Sequence, residues 1–137
     1  MKLTLSKRPC DMNENEIAAV IVDLCFKIHV MYGPGLLESV YEHILAYELR
    51  KLGFFVEQQK PIPVIHEEVK LEIGFRADVI VERKVVVELK SVETMAPVFG
   101  KILLTYLRLT NLKLGLLVNF GEALMKNGIK RVINGYL

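Results

Sequence analysis

The chain has 137 residues, 52% hydrophobic and 25% charged, with five prolines and no biased tract; this is the profile of a single globular domain and excludes a disordered or fibrous chain. Eighteen Lys and Arg against sixteen Asp and Glu leave a net charge of +2, which permits contact with nucleic acid without arguing for it. The two cysteines, Cys10 and Cys25, show no CxxC or Cys/His spacing, which speaks against a zinc site and suits a reducing cytoplasm.

Residues 1–12 read as a flexible leader, and 13–137 as one domain. The leader is basic but has no apolar segment of the kind a signal peptide needs. No apolar run approaches the roughly 20 residues that cross a bilayer, so no membrane partner is expected. Asn13 followed by Glu16 resembles a capping box. Beyond it Ile17, Val20, Ile21, Leu24, Cys25 and Ile28 recur at helical spacing, predicting a first helix over 14–31. Gly33-Pro34-Gly35 breaks it. A second helix is expected over 36–52, with Leu37, Val40, Tyr41, Ile44 and Leu45 on one side and Gly53 as its stop.

The period then changes to two. Short strands are predicted at 54–59, 62–65 and 69–73, separated by prolines or charged turns. Stronger ones follow at 75–81 and 85–90, joined by Glu82-Arg83-Lys84. A third helix is expected over 96–109, with Phe99, Ile102, Leu103 and Tyr106 on one face. The apolar run 114–120 predicts a strand buried on both sides, and 129–137 a last short strand. The order α-α-β-β-β-β-β-α-β describes a mixed α/β sandwich rather than a doubly wound fold.

The residues that carry chemistry lie on the 75–90 hairpin. A three-residue loop at 82–84 sets Val81 against Val85 and brings Asp78 opposite Glu88, where Cβ atoms of an antiparallel pair lie roughly 4.5–5.5 Å apart. Period two then places Arg76, Asp78, Ile80, Val86, Glu88 and Lys90 on one face, and Phe75, Ala77, Val79, Val81, Val85, Val87 and Leu89 on the other, which reads as core. Two carboxylates at about 5 Å repel by about 3 kcal/mol at an effective dielectric of 20. A hard divalent cation, Mg²⁺ or Mn²⁺, removes that repulsion with one or two carboxylates and retained waters. It polarises a phosphoryl oxygen and acidifies a bound water, while Lys90, one period along from Glu88, is placed either to orient that water or to stabilise developing negative charge. These are the parts needed to hydrolyse a phosphodiester bond. The competing reading is an ordinary polar strand face with Asp78 paired to Arg76 or Lys90.

Four segments carry a family likeness: Gly35-Leu36-Leu37-Glu38-Ser39-Val40-Tyr41, Phe75-Arg76-Ala77-Asp78, Val87-Glu88-Leu89-Lys90-Ser91-Val92-Glu93, and Leu112-Lys113-Leu114-Gly115-Leu116-Leu117-Val118-Asn119-Phe120. In this order they resemble the small bacterial GxxExxY proteins, which are placed in the PD-(D/E)xK nuclease superfamily. The resemblance covers about 13–137. It implies a restriction-endonuclease-like core, with a mixed sheet between helices and a metal site on a central hairpin, and a DNA or RNA substrate. By the same resemblance Asp78 is the superfamily's aspartate, Glu88 and Lys90 are its ExK pair, Glu38 is the helix glutamate of the metal shell, and the Leu89 carbonyl is a further ligand. Two positions depart from the pattern. Ala77 precedes Asp78 in place of proline. Ile102-Leu103-Leu104-Thr105-Tyr106 stands where related sequences often carry Q-x-x-x-Y, and isoleucine cannot hydrogen-bond a phosphate or a water.

Other candidates have competing readings. Glu38 also suits the first turn of a helix, where the dipole favours a carboxylate. His29 is a candidate metal ligand by resemblance, or a residue bonding free carbonyls at its helix end. Tyr41 is a core-edge aromatic or a site residue, and Tyr106 and Lys101 are candidates to line the site from the third helix. A catalytically silent nuclease-fold module, or a homodimer built on apolar faces, is the alternative to a Mg²⁺- or Mn²⁺-dependent nuclease.

Overall fold

The computed structural model describes residues 4–137, leaving aside the side chain of Ile73; residues 1–3 of the expected leader lie outside the described residues. The elements are α1 (Glu14–Tyr32), α2 (Glu38–Lys51), β1 (Val56–His66), β2 (Val69–Val81), β3 (Val85–Lys90), α3 (Val98–Thr110), β4 (Leu114–Asn119) and β5 (Ile129–Ile133). The five strands form one mixed sheet in the order β1-β2-β3-β4-β5, parallel between β3 and β4 and antiparallel elsewhere. Helices α1 and α2 cover one face around Ile21, Leu45, Val79, Val87 and Leu116. Helix α3 covers the other around Ile62, Ile80, Val86, Leu103 and Leu117. This three-layer arrangement is the expected α/β sandwich with helices on both faces of the central strands. No helix among the described residues is long and apolar enough to cross a membrane.

Two features correct the expected order. Five strands before the third helix become three, because β1 absorbs the first two predicted strands and β2 the next two. Pro61 and Pro63 do not break β1, since it is an edge strand where a missing N–H can face away from the ladder. Gly74 (φ +123°) does not break β2 but sits in an irregularity, where Ile62 pairs with Phe75 and Val64 with Leu71. The second correction concerns the leader, which packs against the α1–α2 core from Leu5. Pro9–Asp11 form a 3₁₀ turn, Met12 is buried in the α1–α2 core, and Lys84 Nζ donates to the Met12 carbonyl at 2.6 Å. The last strand stops at Ile133, four residues short of the expected end.

The helices start and stop for local reasons. Asn13 and Glu16 form the reciprocal capping box at the head of α1, and Gly33 ends that helix at φ +70°. The Tyr41 hydroxyl, buried and stacked on Phe120, bonds the Gly33 carbonyl and accepts from Leu36 N–H at 3.0 Å. It therefore fixes the turn that delivers α2. On the far side of the sheet, Gly115 lies under Leu103, and a Cβ there would come within 2.9 Å of the leucine side chain. That close approach seats α3 against β4.

Asn119 closes the end of the sheet nearest the candidate site. It is fully buried; its Oδ1 accepts from Val92 N–H and Gly121 N–H, both at 3.0 Å, and its Nδ2 donates to the Val92 carbonyl at 2.9 Å. The chain leaving β3 is thereby fastened to the chain leaving β4. Replacing Asn119 with Ala leaves three backbone groups of the half-buried Val92 and Gly121 without their partner; a fully buried unpaired group costs roughly 1–3 kcal/mol, and partial access to water lowers that cost. We expect Asn119→Ala to lower unfolding free energy by about 2–4 kcal/mol in urea titration; a change below about 0.5 kcal/mol, the level of ordinary surface substitutions, would contradict this role.

Candidate active site

The hairpin register is as expected where strands β2 and β3 pair: Val81 against Val85, Ile80 against Val86, and Val79 against Val87. The tight turn is held open by left-handed Glu82 and Arg83 (φ 53° and 54°), with Lys84 N–H donating to the Val81 carbonyl at 3.0 Å. Past Val79 and Val87 the strands part, and side chains take over from the ladder. Asp78 N–H donates to Glu88 Oε1 at 3.0 Å, and Leu89 N–H donates to Asp78 Oδ2 at 2.9 Å. Asp78 and Glu88 are thus brought together, each carboxylate accepting from the opposite strand's backbone.

Strict alternation fails at Asp78. Val79 and Val81 belong to the α1–α2 core, whereas Phe75 and Ala77 pack with the α3-side cluster. The expected placement of Phe75 and Ala77 beside Val79 is therefore corrected. Gln59, facing Asp78 in the β1–β2 register, has φ 51°, so both strands are irregular at this level. The face expected to be polar is also covered: Ile80 and Val86 are buried beneath α3, leaving Asp78, Glu88 and Lys90 as its polar part.

Two residues outside the predicted set complete the neighbourhood. Glu42, one turn after Glu38 on α2, is 5% exposed and accepts from Gln58 Nε2 at 2.9 Å and Gln59 Nε2 at 2.6 Å. The same Gln59 nitrogen donates to Asp78 Oδ1 at 3.2 Å. One amide thus spans Glu42 and Asp78, whose oxygens are no farther apart than those two bonds laid end to end. A cleft of about 470 Å³ opens here, lined by Leu37, Glu38, Ser39, Glu42, Gln59, Asp78 and Leu89. A signal for Glu42 was present in the sequence: it falls in the stripe of Tyr41, Leu45 and Leu49 that α2 buries, an odd place for a carboxylate without a purpose. Gln59 offered no such signal.

The other candidates take varied places. Glu38 is exposed at the rim of the cleft, in the first turn of α2. Leu89 lines the cleft, as a backbone ligand would require. The Lys90 ammonium lies 4.3 Å from the Phe99 ring centroid and forms no ion pair among the described residues. Tyr106 reaches the carboxylates from α3: burial first, then the charges of Glu88 and Asp78, raise the pKa of its phenol. Its ring meets Phe75 edge-on at 5.4 Å. Lys101 is exposed on α3, and Ile102 is packed into the α3-side cluster. Neither His29 nor Tyr41 is brought to the cleft. His29 Nε2 bonds the Glu122 carbonyl at 2.8 Å, and the Tyr41 hydroxyl is taken up by the α1–α2 turn.

Charge is uncompensated at this point. Burial, followed by the neighbouring Asp78 carboxylate, pushes the Glu88 carboxyl up to about 9. Among the described residues no three His, Cys, Asp or Glu side chains form a closed metal cage. The donors are all hard oxygens, however, and Mg²⁺ needs only one or two carboxylates with waters completing its shell. The residues present fit such an ion.

Glu88 also makes folding pH-dependent. Its folded value lies above the ordinary 4.5, so its contribution is fully present below that pH and is lost as pH rises through about 9. In chelator, urea unfolding should therefore show the wild type losing stability relative to Glu88→Gln between pH 5 and 9. Parallel pH curves for the two proteins would contradict the burial of an uncompensated carboxyl.

No curated protein and no solved structure matches the chain. A family model of the PD-(D/E)XK nuclease superfamily matches residues 15–132, a span that takes in α1, the hairpin acids, α3 and β4, and the chain belongs to that superfamily.

Proposed function

We propose that this protein is a divalent-metal-dependent nuclease hydrolysing phosphodiester bonds of DNA or RNA, a bacterial, cytoplasmic member of the GxxExxY type. The observation that carries the reading is the meeting of Asp78, Glu42 and the Leu89 strand end in one cleft, beside a Glu88 carboxyl that burial, and then the charge of Asp78, keeps from ionising readily. Members of the superfamily generally use divalent metal ions. The GxxExxY type rests on Gly35, Glu38 and Tyr41.

In this reading Asp78, Glu42 and the Leu89 carbonyl would hold Mg²⁺ or Mn²⁺, with Glu88 the adjoining carboxyl and Glu38 at the entrance. Such an ion would supply Lewis acidity toward a phosphoryl oxygen and a water. The protein's own groups do the rest. Lys90, braced against Phe99, offers the ammonium that neutralises charge building on the phosphoryl oxygens. Gln59 and Gln58 hold the Glu42 carboxylate from its two oxygens and keep α2 in register with the hairpin. Gln59 also brings a carboxamide to the site from β1, where Ile102 on α3 offers none. The hydrolysis consumes one water: its oxygen bonds to phosphorus, the phosphorus–oxygen ester bond breaks, and the departing oxygen takes a proton.

The packing of Ile102 into the core favours a second reading, in which the metal site is kept and turnover is lost. One pair of measurements separates the two. Asp78→Asn should lower Mn²⁺ affinity by at least about tenfold in calorimetry and reduce cleavage of single- or double-stranded DNA or RNA by about 100-fold or more. Mn²⁺ binding that depends on Asp78, with no cleavage of any substrate by wild type, would select the silent module. Mn²⁺ affinity equal in wild type and Asp78→Asn would overturn both.

A further inference from the structure

The mild charge of the chain conceals a division. Residues 94–137 carry six Lys or Arg against a single acid, Glu122, whereas residues 1–93 carry twelve against fifteen, so the +2 separates into +5 and −3. The structure deepens the contrast. All six ion pairs found among the described residues lie in the acidic part, between Lys7 and Glu72. Lys101, Arg108, Lys113, Lys126, Lys130 and Arg131 are all exposed, and none has a carboxylate partner among the described residues.

We propose that the exposed face of α3 together with Lys130 of β5 is the track that seats the phosphate backbone of the nucleic acid, leading it to the cleft; this rests on the nuclease reading above. Three positions define it. Lys101 and Arg108, two turns apart on α3, project from one side of the helix, about 10 Å apart along its axis. Lys130 crosses from β5 to the start of α3, where its Nζ lies 3.1 Å from the point a Cβ on Gly100 would occupy. Gly100 adjoins Phe99, which carries the Lys90 ammonium on its ring. The same helix reaches the acidic pair through Tyr106, so the basic face and the carboxylates share α3 as their common border.

The charge pattern selects the occupant. Cations left unpaired repel one another, and a polyanion relieves this while releasing its condensed counterions. Phosphates follow one another every 3.4 Å along the axis of a duplex strand, so the span from Lys101 to Arg108 covers about three of them. On the side of α1 and α2, Lys7, Lys27 and Lys51 already hold Glu16, Asp23 and Glu48. They offer a built-in control, because removing them frees acids rather than subtracting from a basic track.

The test is binding in chelator, which needs no metal and no turnover. Fluorescence anisotropy is recorded for a labelled DNA duplex, the matching RNA duplex and a single strand across 25–200 mM salt, at roughly decade-spaced protein concentrations. Each phosphate contact contributes about 0.9 to the slope of log K against log salt on a duplex. The triple variant Lys101→Ala/Arg108→Ala/Lys130→Ala should lower that slope by about 2 to 3 and weaken binding at low salt by at least about tenfold. The control Lys7→Ala/Lys27→Ala/Lys51→Ala should leave the slope unchanged. Far-UV circular dichroism and thermal melting establish that both variants fold. Equal slopes for wild type and the first variant, or an equal loss in both variants, would overturn the track, as would binding to anionic phosphatidylserine vesicles with none to nucleic acid. Binding that follows the expected pattern in a protein that never cleaves would leave the track standing and remove the nuclease reading.

Discussion

The site depends on one exchange of hydrogen bonds, made where strands β2 and β3 separate. Asp78 N–H donates to the Glu88 carboxylate while Leu89 N–H donates to the Asp78 carboxylate. A ladder continued past Val79 and Val87 would satisfy those N–H groups with carbonyls and leave the two acids to project independently. Using side chains instead ends the ladder without orphaning buried donors and fixes two carboxyls against each other, with that of Glu88 buried and that of Asp78 open to the cleft. The raised pKa of Glu88 follows directly from this. Such an arrangement is costly to an isolated fold, and it makes sense where a cation relieves it.

The rest of the molecule keeps that junction in place. Asn119 ties the segment after Lys90 to the end of β4, and Ser91 Oγ donates to the Leu36 carbonyl at 3.1 Å, linking the same segment to the α1–α2 turn. Tyr41 holds that turn from within, its ring stacked at 4.1 Å on Phe120. Through the turn, α2 is set at the angle that brings Glu38 and Glu42 to the cleft. The tyrosine of the GxxExxY segment thus acts on the site by positioning α2, while the glutamate of that segment stands at the cleft's rim.

Much of this was legible in the sequence, for reasons that can be named. Helical periodicity, the Asn13 capping box and the Gly33 stop placed α1, and the β-branched runs around Arg83 placed the hairpin with its register. The strand count differs because proline and glycine read locally as breaks. An edge strand tolerates Pro61 and Pro63, and β2 absorbs Gly74 in an irregularity, neither of which local composition reveals. The side-chain alternation of β2 changes phase at Asp78, level with the left-handed Gln59 in the neighbouring strand, a tertiary irregularity that local composition does not carry. Glu42 is readable from its position in the buried stripe of α2, while the role of Gln59 depends on a tertiary pairing alone. The charge division lay in the sequence from the start, hidden by a net value that averages two unlike halves.

The cleft between α2 and the hairpin is proposed to bind a divalent cation. The most direct measurement is a crystal structure of the protein soaked in Mn²⁺, with anomalous diffraction used to locate the ion. A cation site requires one strong peak within about 2.0–2.6 Å, the range of hard-cation oxygen distances, of oxygens from Asp78 and Glu42 or the Leu89 carbonyl, with the Gln59 amide moved from between the two carboxylates. No peak in the cleft at millimolar Mn²⁺, with Gln59 still bridging Glu42 and Asp78, would contradict it.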